Sequence, residues 1–152
     1  MKKFLILLIL LTNCTEPPIT EPPKTTSDII IQRIDEAGIE IYDFEYNSWL
    51  GEPNEKIGDK YDGDWFLYSE RVHFTIDEVA PKGGQFFICE TRTECDEIFA
   101  HYDNLKSLAG PYIFRSKDGK LVAQLNSTLS LETGVKFQSI FKEAENLIVT
   151  ER

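Results

Sequence analysis

Apolar residues recur at helical spacing in three segments of the chain. In the first, the stripe lies between an N-cap expected at Ser27 and a stop at Gly38, and it comprises Ile30, Ile31, Ile34 and Ala37. The second helix is expected to follow either Thr93 or Thr91 with its capping box to Glu94, and the third to follow Ser130. The inward face of the second helix is expected to comprise Ile98, Phe99, Tyr102, Leu105 and Ala109. That of the third is expected to comprise Val135, Phe137, Ile140, Phe141 and Ala144.

Alternating apolar and polar residues predict strands between these helices. Residues 39–46 alternate, but the phase slips near Tyr42, which indicates a β-bulge. The clearest strand, Arg71–Glu78, places Val72, Phe74 and Ile76 on one face and Arg71, His73, Thr75 and Asp77 on the other. Further strands are predicted at 64–68, 85–89, 112–115 and 120–126, the last two joined by a turn at Asp118-Gly119.

This order of elements predicts an α+β fold. Short turns join most neighbouring strands, which favours antiparallel pairing. We therefore expect a two-layer sandwich, with a mainly antiparallel sheet of about five to six strands and helices packed on one face.

The first fourteen residues have the layout of an export signal. Lys2 and Lys3 precede eight apolar residues, and the run is followed by Cys14. A helix of eight residues spans only about 12 Å, whereas the hydrocarbon core is roughly 30 Å thick, so this segment is too short to cross a bilayer. The segment Leu11-Thr-Asn-Cys14 resembles the lipobox of bacterial lipoproteins, although Asn13 stands where a small residue is usual. The alternative is an ordinary secretory signal in which Cys14 is incidental.

These features predict three regions. Residues 1–13 form the signal peptide, residues 14–26 a lipidated Cys14 with a proline-rich spacer, and residues 27–152 a single α+β domain. Thr-Glu-Pro-Pro occurs twice in the spacer, which favours polyproline II and a reach of up to roughly 35 Å. The lipobox resemblance implies a diacylglyceryl group on the Cys14 sulfur, which would anchor the domain without spanning the membrane.

From Ile30 onward the chain also resembles a group of small bacterial lipoproteins of unknown function. The matching segments are 34–39, 71–76, 89–96, 108–114 and 121–126. The resemblance implies the fold and the lipid anchor, and it carries no catalytic residues.

The two cysteines of the domain, Cys89 and Cys95, lie six positions apart. This spacing differs from the Cys-x-x-Cys of redox and zinc sites, so a structural disulfide is expected after export. Two free buried thiols are the alternative.

The chain is acidic, with a net charge of −10 that becomes −12 when Lys2 and Lys3 leave with the signal. Such a charge argues against nucleic acid and anionic lipid headgroups as partners. It favours cationic partners or simply a solvated surface.

The sequence contains no strong catalytic or metal-binding motif, and we expect no cofactor, no bound metal and no enzymatic activity. His73 and His101 lack partners at metal-ligand spacing. The acidic run 59–64 lacks the EF-hand pattern, so a solvated turn is the expected reading. Paired carboxylates are too abundant here to single out a hydrolase.

Aromatic residues concentrate between Tyr42 and Tyr68. Aromatic side chains with polar tips are common in binding surfaces, so Trp49, Tyr61, Trp65 and Tyr68 are the candidate contact residues. The alternative is that they fill the core.

Together these features predict a lipid-anchored, non-enzymatic module on the periplasmic or extracellular face, at the outer membrane if the cell has one. Its partner would be an envelope component. The alternative function is an inhibitor that blocks a cationic hydrolase or toxin.

Overall fold

A computed structural model describes residues 25–49 and 66–144 of the chain. The helices are α1 (Thr26–Glu36), α2 (Arg92–Asn104), α3 (Lys106–Ala109) and α4 (Leu131–Lys142). The strands are β1 (Ile41–Trp49), β2 (Tyr68–Ile76), β3 (Gly83–Ile88), β4 (Ile113–Arg115) and β5 (Leu121–Leu125). A 3-10 helix, Asp77–Val79, follows β2. The predicted signal peptide and most of the spacer lie outside the described residues.

The helices begin at side chains that satisfy their free N–H groups. Thr25 and Asp28 form a reciprocal capping box at α1, so the cap lies two residues before the predicted Ser27. Ser27 is instead buried, and its hydroxyl donates to Glu70 Oε1 at 3.0 Å. The caps at Thr91 for α2, with Glu94, and at Ser130 for α4 are confirmed.

The five strands form one antiparallel sheet in the order β1-β2-β3-β5-β4. The pairing of β1 with β2 shifts between Tyr42 and Glu45, where β1 contains one extra residue. Asp43 in this interval has φ of 54°, a left-handed conformation that Asp tolerates better than most residues. The bulge predicted near Tyr42 is therefore confirmed.

Apolar side chains cover both faces of the sheet. On one face, Phe86 of β3 packs in a cluster with residues of α1 and α4. On the other face, the adjacent Phe87 packs with Ile98 and Tyr102 of α2. The α+β class and the antiparallel five-stranded sheet are confirmed, but the helices occupy both faces and not one, because successive residues of β3 are buried in opposite directions.

The two faces are named here the α1/α4 face and the α2 face. The core of the α1/α4 face is rich in phenylalanine, with Phe137 and Phe141 of α4 fully buried. Val135, predicted to face inward, is 55% exposed, because the apolar stripe of α4 is narrower than the spacing suggested. On the α2 face, α2 packs over β4 and β5.

No helix within residues 25–49 and 66–144 is long and apolar enough to cross a membrane.

Candidate functional site

A row of polar side chains crosses the α2 face of the sheet. Glu45 of β1 is paired directly with His73 of β2, and His73 with Gln85 of β3. Gln85 is paired in turn with Gln124 of β5. Residues in direct register project their side chains to the same face of a sheet, so these four lie side by side across four strands.

Gln85, one of the four residues of this row, is the centre of a hydrogen-bond network. Its Oε1 accepts from Arg71 Nε at 2.8 Å, and its Nε2 donates to the Tyr102 hydroxyl at 2.9 Å and to Gln124 Oε1 at 3.2 Å. Gln85 is only 7% exposed, so these bonds offset the cost of burying its amide. The network therefore ties α2 to the sheet and makes a rigid polar floor.

Arg71 lies at one side of this floor. Its guanidinium carbon is 5.3 Å from the centroid of the Phe87 ring, a cation–π distance. Its Nε–H is already used by Gln85. The cation is thus held in place by the ring and the amide together.

The surroundings of His73 change the acidity of its imidazole. Burial lowers the pKa of His73 from its usual value of 6.5, and the nearby Arg71 guanidinium lowers it further. The Glu45 carboxylate acts in the opposite direction without reversing the shift. The imidazole is therefore neutral at pH 7, and one ring nitrogen is an acceptor.

The row borders an open groove of about 910 Å³ on the α2 face, which we call the sheet groove. The volume lies within the range of about 300 to 1,000 Å³ that is usual for ligand sites. Its walls come from β1, β2, β3, β5, α3 and the turns beside them. The lining residues are Asp43, Phe44, Glu45, His73, Phe74, Thr75, Pro81, Gly83, Gly84, Gln85, Leu108, Gln124, Asn126 and Ser127.

A bare stretch of backbone forms part of the groove wall. A Cβ added to Gly83 would lie 1.8 Å from the carbonyl oxygen of Phe74, so no other residue fits there without moving the strand. The absence of a side chain lets the backbone of β3 lie directly against the carbonyl group of Phe74.

Of the four predicted aromatic contact residues, Tyr68 is the one whose side chain is described. Tyr68 is 7% exposed, and its ring centroid lies 5.5 Å from that of Phe87. The pairing of β1 with β2 shifts again between Asn47 and Trp49, where β2 has the extra residue, and this turns Tyr68 into the α2-face core. Tyr68 is therefore corrected to a core residue. Tyr61, Trp65 and the side chain of Trp49 lie outside the described residues, as do Cys14 and the acidic run 59–64.

The disulfide between Cys89 and Cys95 is confirmed, with a Cα–Cα distance of 5.7 Å. Both residues are buried in the α2-face core. The bond joins the residue after β3 to the first turn of α2, and thus holds the helix whose Tyr102 supports Gln85.

His73 lies in strand β2 and His101 in helix α2, as predicted. His73 belongs to the polar row, whereas the His101 ring packs edge-on against Phe66 at 5.0 Å. Across the described ranges no group of three or more His, Cys, Asp or Glu is placed to hold a metal ion.

Sequence reasoning recognised the polar face of β2 but not the site. Gln85 and Gln124 each lie in a predicted strand whose other residues are mostly apolar. A polar residue at such a position was the feature of the sequence that could have indicated the site. The pairing that aligns them with His73 and Glu45 is a tertiary property and could not be read from either strand alone.

Comparison of the chain with known proteins identifies no matching family model, no matching curated protein and no matching solved structure.

Acidification should show the environment of His73 directly. We expect its NMR titration midpoint below 6.5, and a still lower midpoint in Glu45→Gln, because the opposing carboxylate charge is lost. Since the folded state binds the proton more weakly than the unfolded state, the His73 contribution to stability is fully present above about pH 6.5 and is lost as pH falls through the folded pKa. A midpoint at or above 6.5 in the wild type would contradict this account.

Proposed function

We propose that this chain is a non-enzymatic binding module, anchored by lipid on Cys14 to the periplasmic or extracellular face of a membrane, and that it binds an envelope component in the sheet groove. The anchor rests on the basic start, the short apolar run and the segment Leu11-Thr-Asn-Cys14. The outer membrane is the favoured location if the cell has one. The aromatic surface of Trp49, Tyr61 and Trp65 stays a separate prediction.

The polar row is the observation that carries the binding role. Glu45, His73, Gln85 and Gln124 form a continuous polar row that borders a groove of ligand size. Its floor is fixed by the buried Gln85 network, so a ligand would meet a preorganised surface.

Two further observations support parts of this proposal. The buried Cys89–Cys95 disulfide is typical of proteins that work in an oxidising compartment, which agrees with export. The two carboxylates among the groove residues, Asp43 and Glu45, support a cationic partner. That same acidity supports the second candidate, an inhibitor of a cationic hydrolase or toxin.

Site-specific photocrosslinking in intact cells tests the proposal. A photoreactive amino acid placed at Thr75, which lines the groove, is expected to give a discrete crosslinked adduct in the membrane fraction. The matched control is Leu131, which is 76% exposed at the start of α4 and does not line the groove. It should give little or no adduct.

The Cys14→Ser variant tests the anchor in the same cells. We expect it to move from the membrane fraction to the soluble fraction, because the thiol that accepts the lipid is gone. Equal adducts from Thr75 and Leu131 would contradict the groove as the binding site, and unchanged membrane association of Cys14→Ser would contradict the anchor.

A further inference from the structure

The charged side chains of the sheet groove are of one sign. Asp43 and Glu45 both come from β1, and the fourteen lining residues include no lysine or arginine. Both carboxylates belong to exposed residues, and no hydrogen bond or ion pair engages either one within the described part of the chain. The two carboxylates together outweigh the single Arg71 guanidinium that acts on His73 from the floor, so the potential at the β1 end of the groove favours a cation.

The neutral groups next to Glu45 add acceptors for N–H donors. The His73 imidazole stands directly opposite Glu45 across the β1–β2 pair, and in the ranges 25–49 and 66–144 it makes no side-chain hydrogen bond. The Thr75 hydroxyl follows on the same face of β2. An ammonium or guanidinium group carries several N–H donors, which a carboxylate, a ring nitrogen and a hydroxyl would satisfy together.

The size of the groove indicates an extended ligand and not a single ion. From Glu45 to Gln124 the polar row crosses three strand-to-strand spacings, about 14 Å in all. An extended peptide advances about 3.3 Å per residue, so roughly four residues would follow the row. At the far end, Asn126 and Ser127 supply polar groups suited to a peptide backbone, beside the exposed Leu108.

We propose that the sheet groove binds an extended segment of a partner protein, and that a lysine or arginine side chain of this segment ends between Glu45 and His73. The segment lies across the strands, with its backbone over Gln85 and Gln124. This inference rests on the proposed function and specifies the chemistry of the partner.

Peptide binding to the purified full chain in neutral detergent tests the inference. The probe is a fluorescent, acetylated and amidated pentapeptide of alternating alanine and lysine, followed by anisotropy at low ionic strength. We expect saturable binding, about tenfold weaker for the same peptide with norleucine in place of lysine, because charge-assisted hydrogen bonds are then lost. Binding should also weaken as salt is raised.

Matched variants locate the cation. Glu45→Gln should weaken binding of the lysine peptide about fivefold and reduce its salt dependence, because one carboxylate charge is removed. Glu97→Gln makes the same chemical change on the exposed side of α2, away from the groove, and should change binding less than twofold.

Each contrary result has a defined meaning. Equal binding of the lysine and norleucine peptides, or equal effects of Glu45→Gln and Glu97→Gln, would overturn the cationic assignment. Spermidine carries amine groups but no peptide backbone. If it binds at Glu45 as tightly as the lysine peptide, the proposal that the ligand is an extended peptide segment is wrong. The absence of any peptide binding would overturn the inference as well. Each of these results is distinguishable from failure of the proposed function, because the Thr75 crosslink tests whether the groove is occupied without reference to the charge of the ligand.

Discussion

Replacing Phe137 with alanine should lower the free energy of unfolding by about 3 to 5 kcal/mol, a large share of the stability of a small domain. Phe137 is fully buried, and its ring centroid lies 6.1 Å from that of Phe141 and 6.3 Å from that of Phe74. It thus joins α4 to β2, and the cavity left by its removal would be lined by rigid aromatic rings. Urea denaturation followed by circular dichroism measures the change.

Val135→Ala is the matched control for this prediction. Val135 lies on the same helix but is 55% exposed, so we expect its loss of stability to stay below about 1 kcal/mol. The pair therefore tests which side of α4 is buried. Comparable losses in the two variants would show that the helix is rotated relative to the structure.

Loss of the disulfide should have the second largest effect. The double variant Cys89→Ala/Cys95→Ala is expected to be less stable by about 2 to 3 kcal/mol, because the bond closes a short loop whose freedom in the unfolded chain it restricts. Both cysteines are also buried against Ile98 and Phe87, so no new polar group is exposed by the change. Chemical denaturation of the two proteins under oxidising conditions gives the difference.

Native-state hydrogen exchange adds a spatial test of the disulfide prediction. Protection should fall most in α2, which the bond joins to the end of β3, and least in α4 on the opposite face. Wild-type protein under reducing conditions should reproduce this pattern. An equal loss of protection in both helices would instead mean that the bond stabilises the whole domain as one unit.

The division of the molecule into two faces gives each part a distinct role. The α1/α4 face holds the larger apolar cluster and therefore the larger share of the hydrophobic stabilisation. On the α2 face, the helix covers β4 and β5, while β1 and β2 carry exposed and half-buried polar residues around the groove. Because the apolar cluster of the α1/α4 face does not depend on the exposed polar side chains of the groove, those side chains can be replaced without loss of the fold.

Features that depend on residues close together in the chain could be predicted from the sequence alone. The Thr91–Glu94 capping box, the Ser130 cap, the bulge after Tyr42 and the Cys89–Cys95 pair all involve groups a few positions apart. At such separations the chain has few alternatives, so composition and spacing suffice.

The surfaces that pack against one another could not be predicted from the sequence. The burial of Phe86 and Phe87 in opposite directions placed α2 apart from α1 and α4, and the registers of three strand pairs aligned Glu45, His73 and Gln85. The choice of face and register depends on the packing of distant segments against one another, and a shift of one residue would send each side chain to the other face. No local pattern contains that information, which is why the groove emerges only in the folded chain.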